Sequence, residues 1–153
     1  MYITEITERN GFNACLPLFN QLRAEIGDGG AYVPERAWRN FVMAYGQGYH
    51  IFAAYADPYD EQPVGMMGLR EFVDPGDDVP GLQMNNLVIA QDQRGQGYGS
   101  ALIKQAESYA GANGYGWISL HVDPENDDAL FFYKNNGYSV VDTNVLVRKV
   151  NVS

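Results

Sequence analysis

Cysteine and histidine are scarce in this sequence, and their scarcity excludes several kinds of chemistry. The chain of 153 residues has a single cysteine, Cys15, so it cannot form an internal disulfide and it fits a reducing compartment. Cys15 stands among apolar residues at helical spacing, which favours a buried helix position over a nucleophile. The two histidines, His50 and His121, are far apart and cannot supply the ligand spacing of a zinc site. We therefore expect no bound metal.

Basic residues and long apolar runs are also few. Lysine and arginine number 10 against 19 aspartates and glutamates, which gives a formal net charge of -9. Because such a chain repels a phosphate backbone, nucleic-acid partners are not expected, whereas cationic partners are favoured. No run approaches the ~18 apolar residues of a membrane span, and the acidic amino terminus lacks the apolar core of a signal peptide. These absences predict a soluble cytoplasmic protein without membrane attachment.

The remaining composition is typical of one globular domain, residues 1–153. Hydrophobic residues make up 46% and charged residues 19% of the chain. Periodicity predicts a mixed α/β fold with about seven strands and about four helices. The strands are expected at 2–6, 49–56, 64–73, 82–90, 115–122, 138–141 and 145–150, and three helices at 11–26, 34–46 and 100–112. A short last helix is expected to begin after a cap at Asn126 or Asp127 and to stop at Asn136-Gly137. Pro17 is expected near the start of the first helix, because proline breaks a helix interior.

A glycine-rich turn, Arg94-Gly95-Gln96-Gly97-Tyr98-Gly99, joins an apolar strand to an amphipathic helix. Glycines at 95, 97 and 99 permit positive φ values and remove the Cβ atoms that would keep a phosphate from the backbone. The N–H groups of the helix start would point at the same place, so a pyrophosphate would fit there. The Gly-Lys-Ser/Thr of a P-loop is missing, and a dinucleotide fingerprint fits poorly.

The spacing Arg94-x-x-Gly97-x-Gly99 resembles the Q/R-x-x-G-x-G/A loop of the GNAT superfamily of acyl-CoA-dependent N-acetyltransferases. A second stretch, from Leu120 to Tyr138, is similar to that family's other signature, L-x-V-x-x-x-N-x-x-A-x-x-x-Y-x-x-x-G-F/Y. Every fixed position is filled. The resemblance implies a mostly antiparallel sheet with one splayed parallel strand pair, and the strand, helix, strand order around the glycine turn agrees with that.

The resemblance implies that acetyl-CoA is the cosubstrate. Its pyrophosphate would be held by the backbone amides of Arg94, Gly95, Gln96, Gly97, Tyr98, Gly99 and Ser100. Its pantetheine arm would run beside the backbone of Leu87, Val88 and Ile89, in the manner of an added strand. Asn126 would hydrogen-bond the same arm, besides capping the last helix.

The resemblance also assigns the chemistry. Tyr133 stands where the family places the general acid that protonates the leaving thiolate, and a backbone N–H near Leu87 or Val88 would stabilise the charge that develops on the carbonyl oxygen. Many relatives use a glutamate base where this chain has Gln83. In one branch of the family the base precedes the Val of L-x-V, and here that position is His121. Glu71 and ordered water are rival bases.

The expected function is acetyl transfer to a primary amine by direct attack. Charge favours a small cationic amine, and a protein N-terminus or lysine is the alternative acceptor. Aromatic side chains near the second helix, Tyr32, Trp38 and Tyr45, are candidate acceptor contacts. An alternative from another class is a regulatory module that binds acyl-CoA without turnover, which the missing carboxylate at Gln83 supports. Homodimers are common in the family, whereas the sequence itself does not set the oligomeric state.

Overall fold

The computed structural model describes residues 1–142 and 145–150, so the last residues of the expected domain, 151–153, lie outside the described part. These described residues form seven strands, four α-helices and one 3-10 helix. The strands are β1 Tyr2–Glu5, β2 Tyr49–Tyr55, β3 Gly65–Phe72, β4 Gly81–Ile89, β5 Trp117–His121, β6 Ser139–Asp142 and β7 Val145–Lys149. The helices are α1 Arg9–Glu25, α2 Pro34–Tyr45, the 3-10 helix Gln91–Gln93, α3 Tyr98–Ala112 and α4 Asp127–Asn135.

The strands form one mixed sheet in the order β1-β2-β3-β4-β5-β7-β6. β4 and β5 are parallel and pair Leu82 with Ile118 and Gln83 with Ser119. β1 pairs antiparallel with β2, and β7 pairs antiparallel with β5 and β6. The predicted mixed sheet, its parallel pair and the four helices are confirmed.

The chain divides into two compact units. The first comprises Met1–Gly68 and Asn86–Leu102, and the second comprises Leu69–Asn85 and the chain from Ile103 onward. The first unit has a core formed by residues of α1, α2 and β2, together with Ile6, Met66 of β3 and Val88 of β4. Its aromatic centre is Phe12, whose ring stacks on Phe41 at 5.0 Å and lies 5.7 Å from Trp38. Such ring pairs add to the stabilisation that burial alone provides.

Cys15 is fully buried in this first core, as the helical spacing predicts. Burial raises the pKa of its thiol from 9.0 to about 12. A thiol with that pKa is almost never ionised at neutral pH, and the thiolate is the nucleophilic form. Cys15 therefore has a packing role.

Helix α1 differs from its prediction at the amino-terminal end. It begins at Arg9, so Pro17 lies in the interior and not in the first turn. Proline cannot donate the backbone hydrogen bond that residue 17 would give to Asn13. Its ring is exposed, while its neighbours Leu16 and Leu18 are buried, so burial of the apolar face compensates for one missing bond.

The second unit is built around the β4–β5 pairing. Along β5, Ile118 and Leu120 are buried while His121 is exposed, which confirms the predicted two-faced strand. The Trp117 ring lies directly over Gly81, where a Cβ atom would come within 2.0 Å of the indole. Phe72 packs against the same indole at 5.6 Å. A glycine at the start of β4 is thus what lets Trp117 lie flat against its neighbouring strand.

Candidate active site

The glycine turn of the first unit is a short, exposed segment between the 3-10 helix and α3. Gly95 and Gly97 have φ values of 81° and 88°. A Cβ at either position would meet no heavy atom within 4 Å. These glycines are therefore required by backbone conformation, and the space beside them is open to a ligand, as a bound pyrophosphate needs.

Helix α3 begins two residues earlier than predicted, at Tyr98. Gly99 consequently lies in the first helical turn and has no positive φ, so the expectation of three left-handed glycines is wrong for this one. The amides of Tyr98, Gly99 and Ser100 are those of a helix start, where N–H groups have no partner within the helix. The ability of this segment to bind an anion thus combines two left-handed glycines with a helix N-terminus.

The Arg94 side chain forms an ion pair with a residue of α1. Its Nη2 lies 2.5 Å from Oε1 of Glu25, at the end of α1. Sequence patterning gave no sign of this contact, because the two residues are 69 positions apart.

β4 is irregular immediately before the residues expected to bind pantetheine. Asn86 has a φ of 52°, the one positive value for a non-glycine residue in the described chain. Its Nδ2 donates to the Tyr49 hydroxyl at 2.8 Å, which holds the conformation. Asparagine tolerates this region better than most residues. The irregularity falls next to Leu87, where an amide directed at the thioester carbonyl is expected, and that role stays a prediction.

Helix α4 of the second unit has well-defined ends. Asn126 is its N-cap, and its Oδ1 accepts from the backbone N–H of Ala129 at 3.1 Å, which confirms the predicted cap. At the other end Gly137 has a φ of 89°. The N–H of Tyr138 donates to the Tyr133 carbonyl at 3.0 Å, and the N–H of Gly137 donates to Lys134 at 3.1 Å. These two bonds and the left-handed glycine form a Schellman motif.

Tyr133 is held by this motif. Its ring meets the buried Tyr138 ring edge-on at 5.8 Å, which is the apolar contact that usually accompanies a Schellman end. Phe132 packs against it from the other side at 5.2 Å. Burial raises the pKa of the Tyr133 hydroxyl from 10.0 to about 12. The raised pKa keeps the proton on the phenol at neutral pH, and it also makes the phenol a weaker acid.

His121 ends β5 with an exposed side chain. Its Nδ1 lies 3.4 Å from Nε2 of Gln83, a long hydrogen bond. The contact follows from the parallel register, since Gln83 pairs with Ser119, two residues before His121 on the same face. From the sequence, Gln83 was notable only because it replaces a carboxylate. In the structure its side chain contacts His121.

The other candidate residues have partners of their own. Glu71 hydrogen-bonds the Tyr115 hydroxyl, and burial followed by this bond raises the pKa of that tyrosine. His50, in the first unit, contacts Glu5 through Nδ1 at 2.8 Å.

The candidate acceptor aromatics also lie in the first unit, each with its own neighbours. Trp38 packs against the first core, and Tyr45 meets the His50 ring edge-on at 5.6 Å. Tyr32 is more exposed and lies 4.5 Å from the guanidinium of Arg23. The acceptor roles of these three aromatics stay predictions.

A model of the Acetyltransferase (GNAT) family matches residues 18–138. The chain belongs to the GNAT family. This confirms the resemblance carried by the glycine turn and the Leu120–Tyr138 motif. Within the family, a mycothiol acetyltransferase from Corynebacterium jeikeium (strain K411) is 38% identical over 60 residues, or 39% of this chain. The match spans only 17% of the length of that curated relative.

Solved structures of acetyltransferases share the fold. An aminoglycoside acetyltransferase from an uncultured soil metagenomic sample, in complex with sisomicin, is 17% identical with a TM-score of 0.76, covering 92% of this chain and 90% of that one. Glucosamine-6-phosphate N-acetyltransferase from Arabidopsis thaliana is 14% identical with a TM-score of 0.72, covering 93% and 95%. At such identities the likeness concerns the fold alone.

Residues 1–142 and 145–150 contain neither a metal-ligating cluster nor a membrane-spanning helix. Within 1–142 and 145–150, no group of three or more His, Cys, Asp or Glu side chains could hold a metal ion. None of the helices described there combines the length and the apolar character that crossing a membrane requires.

Replacing Gly137 with alanine should disturb the end of α4. The new Cβ would need a left-handed backbone and would lie 1.7 Å from Nη1 of Arg148, so the guanidinium must move. We expect Gly137→Ala to lower the free energy of unfolding by about 1–2 kcal/mol in urea denaturation. Gly29→Ala is the control, because its Cβ meets nothing within 4 Å and its φ is not left-handed. Equal stability of the two variants would contradict the Schellman assignment.

Proposed function

We propose that this GNAT protein transfers an acetyl group from acetyl-CoA to a primary amine. The observation that carries the proposal is the glycine turn, where two left-handed glycines with open space beside their Cα atoms lead directly into a helix start. Membership of the family supports acetyl-CoA as the donor. Leu87, Val88 and Ile89 would pair with the pantetheine amides, and Asn126 would add a bond from its carboxamide nitrogen, since its oxygen caps α4.

The proposed reaction is a direct attack. The amine lone pair forms a C–N bond with the thioester carbon, and the carbonyl oxygen takes up negative charge that the amide near Leu87 or Val88 would stabilise. When the oxyanion collapses, the C–S bond breaks and the CoA thiolate leaves. Tyr133 then donates its phenolic proton to the sulfur. Its raised pKa of about 12 keeps that proton in place until the thiolate forms.

His121 is the proposed base, and Gln83 determines which of its nitrogens can act. If the Gln83 amide oxygen faces Nδ1, then Nδ1–H donates to it and Nε2 keeps a lone pair for the proton of the amine. If the amide nitrogen faces Nδ1, the Nδ1 lone pair is occupied and Nε2 carries the proton. The amide nitrogen stands 3.4 Å from Nδ1, and we propose that the amide turns by half a rotation, which brings its oxygen to Nδ1 and leaves Nε2 to act as the base. Glu71 is the weaker candidate, since it bonds Tyr115.

The proposed acceptor is a small cationic amine. The net charge of -9 attracts cations, and the aminoglycoside and glucosamine-6-phosphate enzymes that share the fold are named for amino sugars. One observation favours a second function, acyl-CoA binding without turnover: Gln83 cannot accept a proton as a glutamate would.

Titration calorimetry with acetyl-CoA, followed by thiol release against a panel of amines, tests the proposal. We expect binding, and turnover with at least one small amine. Binding with turnover only on peptide N-termini or lysines would move the acceptor to the protein class. Binding without any turnover would support the regulatory module, and no binding would overturn the assignment of the glycine turn.

Tyr133→Phe should abolish proton donation while leaving cosubstrate binding intact. Loss of a general acid lowers kcat by about 10²–10⁴-fold, and the acetyl-CoA Kd should change little. Tyr138→Phe is the matched control, because it keeps the ring that packs against Tyr133 and removes a buried hydroxyl that has no hydrogen-bond partner. Wild-type kcat in Tyr133→Phe would remove this residue from the mechanism.

His121→Ala should lower kcat/KM by about 10²–10⁴-fold, because a general base contributes that much to the rate. Alanine has no atom that could take the proton of the amine. Both enzymes are assayed with the same amine. His50→Ala is the control and should keep the wild-type kcat/KM. Equal kcat/KM for wild type and His121→Ala would identify water or Glu71 as the base.

A further inference from the structure

The last turns of α1 contact the segment that leads into the glycine turn. Gln21 donates from Nε2 to the Ile89 carbonyl at 2.9 Å, and its Oε1 accepts from the Gln91 N–H at 3.2 Å. One side-chain amide thus satisfies a C=O and an N–H two residues apart, as a neighbouring strand would. Between them, the Ala90 N–H donates to the Val64 carbonyl at 2.7 Å. The Ile89 carbonyl and the Ala90 N–H are therefore both bonded within the protein, so the pantetheine arm would pair with the other backbone groups of residues 87–89.

Glu25 lies one helical turn after Gln21 and contacts the far end of the same segment. Its Oε1 accepts from Nη2 of Arg94 at 2.5 Å and from Nε2 of Gln21 at 3.2 Å. We call Gln21 and Glu25 the α1 clamp. Gln21 holds the chain where it enters the 3-10 helix, and Glu25 holds Arg94 where the chain leaves it.

The segment between these two points is short and has few other restraints. The 3-10 helix is three residues long, and the Gln93 N–H donates to Ala90 at 2.8 Å. Gly95 and Gly97, which follow, are the residues with the greatest conformational freedom in the chain. Without restraints at its ends, a loop of this composition would lose more entropy when it binds a ligand.

We propose that Gln21 and Glu25 are positioning residues of the acyl-CoA site, which hold the turn in the shape that receives the diphosphate. The inference rests on the proposed function. Glu25 also neutralises the Arg94 guanidinium, so the anion is bound by backbone amides and the α3 start and not by that side chain. Neither clamp residue touches the reacting atoms; each acts through the turn.

The test compares a ligand that carries a diphosphate with a donor that lacks one. Gln21→Leu removes all three side-chain bonds, the two to the backbone of Ile89 and Gln91 and the one to Glu25, and keeps the apolar stem. We expect CoA to bind about tenfold more weakly in calorimetry, since the two neutral hydrogen bonds to the backbone are lost. With S-acetylpantetheine as acetyl donor, kcat/KM should fall by much less than the affinity for CoA, because this donor carries no diphosphate. Gln62→Leu, on an exposed loop of the same unit, is the control for the substitution itself.

Gln21→Glu keeps the acceptor for Gln91 but cannot donate to Ile89, so it tests the clamp if the leucine variant folds poorly. We expect the same selective loss of CoA affinity. Equal loss with both donors would indicate a general defect and overturn the proposal, as would unchanged CoA binding in either variant. Failure of the wild type to bind CoA would overturn the proposed function together with the clamp.

Glu25 is tested with its partner. If Glu25 acts by holding Arg94, then Glu25→Gln, Arg94→Gln and the double variant should weaken CoA binding by the same factor, since each removes one shared contact. Tighter binding in Glu25→Gln would mean that a released guanidinium binds the diphosphate, and it would overturn the positioning role of Glu25.

Discussion

The parallel pairing of β4 with β5 is the constraint on which the rest of this structure depends. Parallel neighbours cannot be joined by a hairpin, so the chain must leave the end of β4 and return through a crossover before β5 begins. The 3-10 helix, the glycine turn and α3 all lie within this crossover. A helix N-terminus therefore follows the carboxyl end of β4, which is a favourable place for an anion. The same register pairs Gln83 with Ser119, which lies two residues before His121 on β5.

The second family motif has a structural meaning that can be derived from helix termination. In a Schellman end the left-handed residue comes four positions after the residue whose carbonyl accepts the last bond, and an apolar residue follows it. Tyr133, Gly137 and Tyr138 have that spacing and make those contacts. The motif thus specifies how α4 ends, and by ending there it fixes the residue that would act as acid. A phenylalanine would serve the packing at position 138 equally well, which agrees with the motif's F/Y.

Local patterns predicted most of the fold, because their causes are local. Pro34 at the start of α2, the alternation along β5 and the Asn126 cap depend on residues within one turn or one strand. Pro17 was placed wrongly, because the rule against interior proline is overridden where neighbouring residues bury a large apolar face. The contacts that refine the site were beyond prediction. Gln83 and His121 are 38 residues apart, and Gln21 and Ile89 are 68 apart.

An acidic chain that binds an anionic cosubstrate needs short-range interactions to do so. The net charge of -9 opposes CoA at long range, although salt screens this repulsion beyond about 8 Å under physiological conditions. Arg94, the cation within the turn, is paired with Glu25. Attraction must then come from backbone N–H groups, whose strength depends on direction and distance far more than that of a lysine or arginine. In the proposed site the shape of the turn decides the affinity for CoA. The bonds from α1 to the two ends of the turn therefore matter more than the charge of the turn.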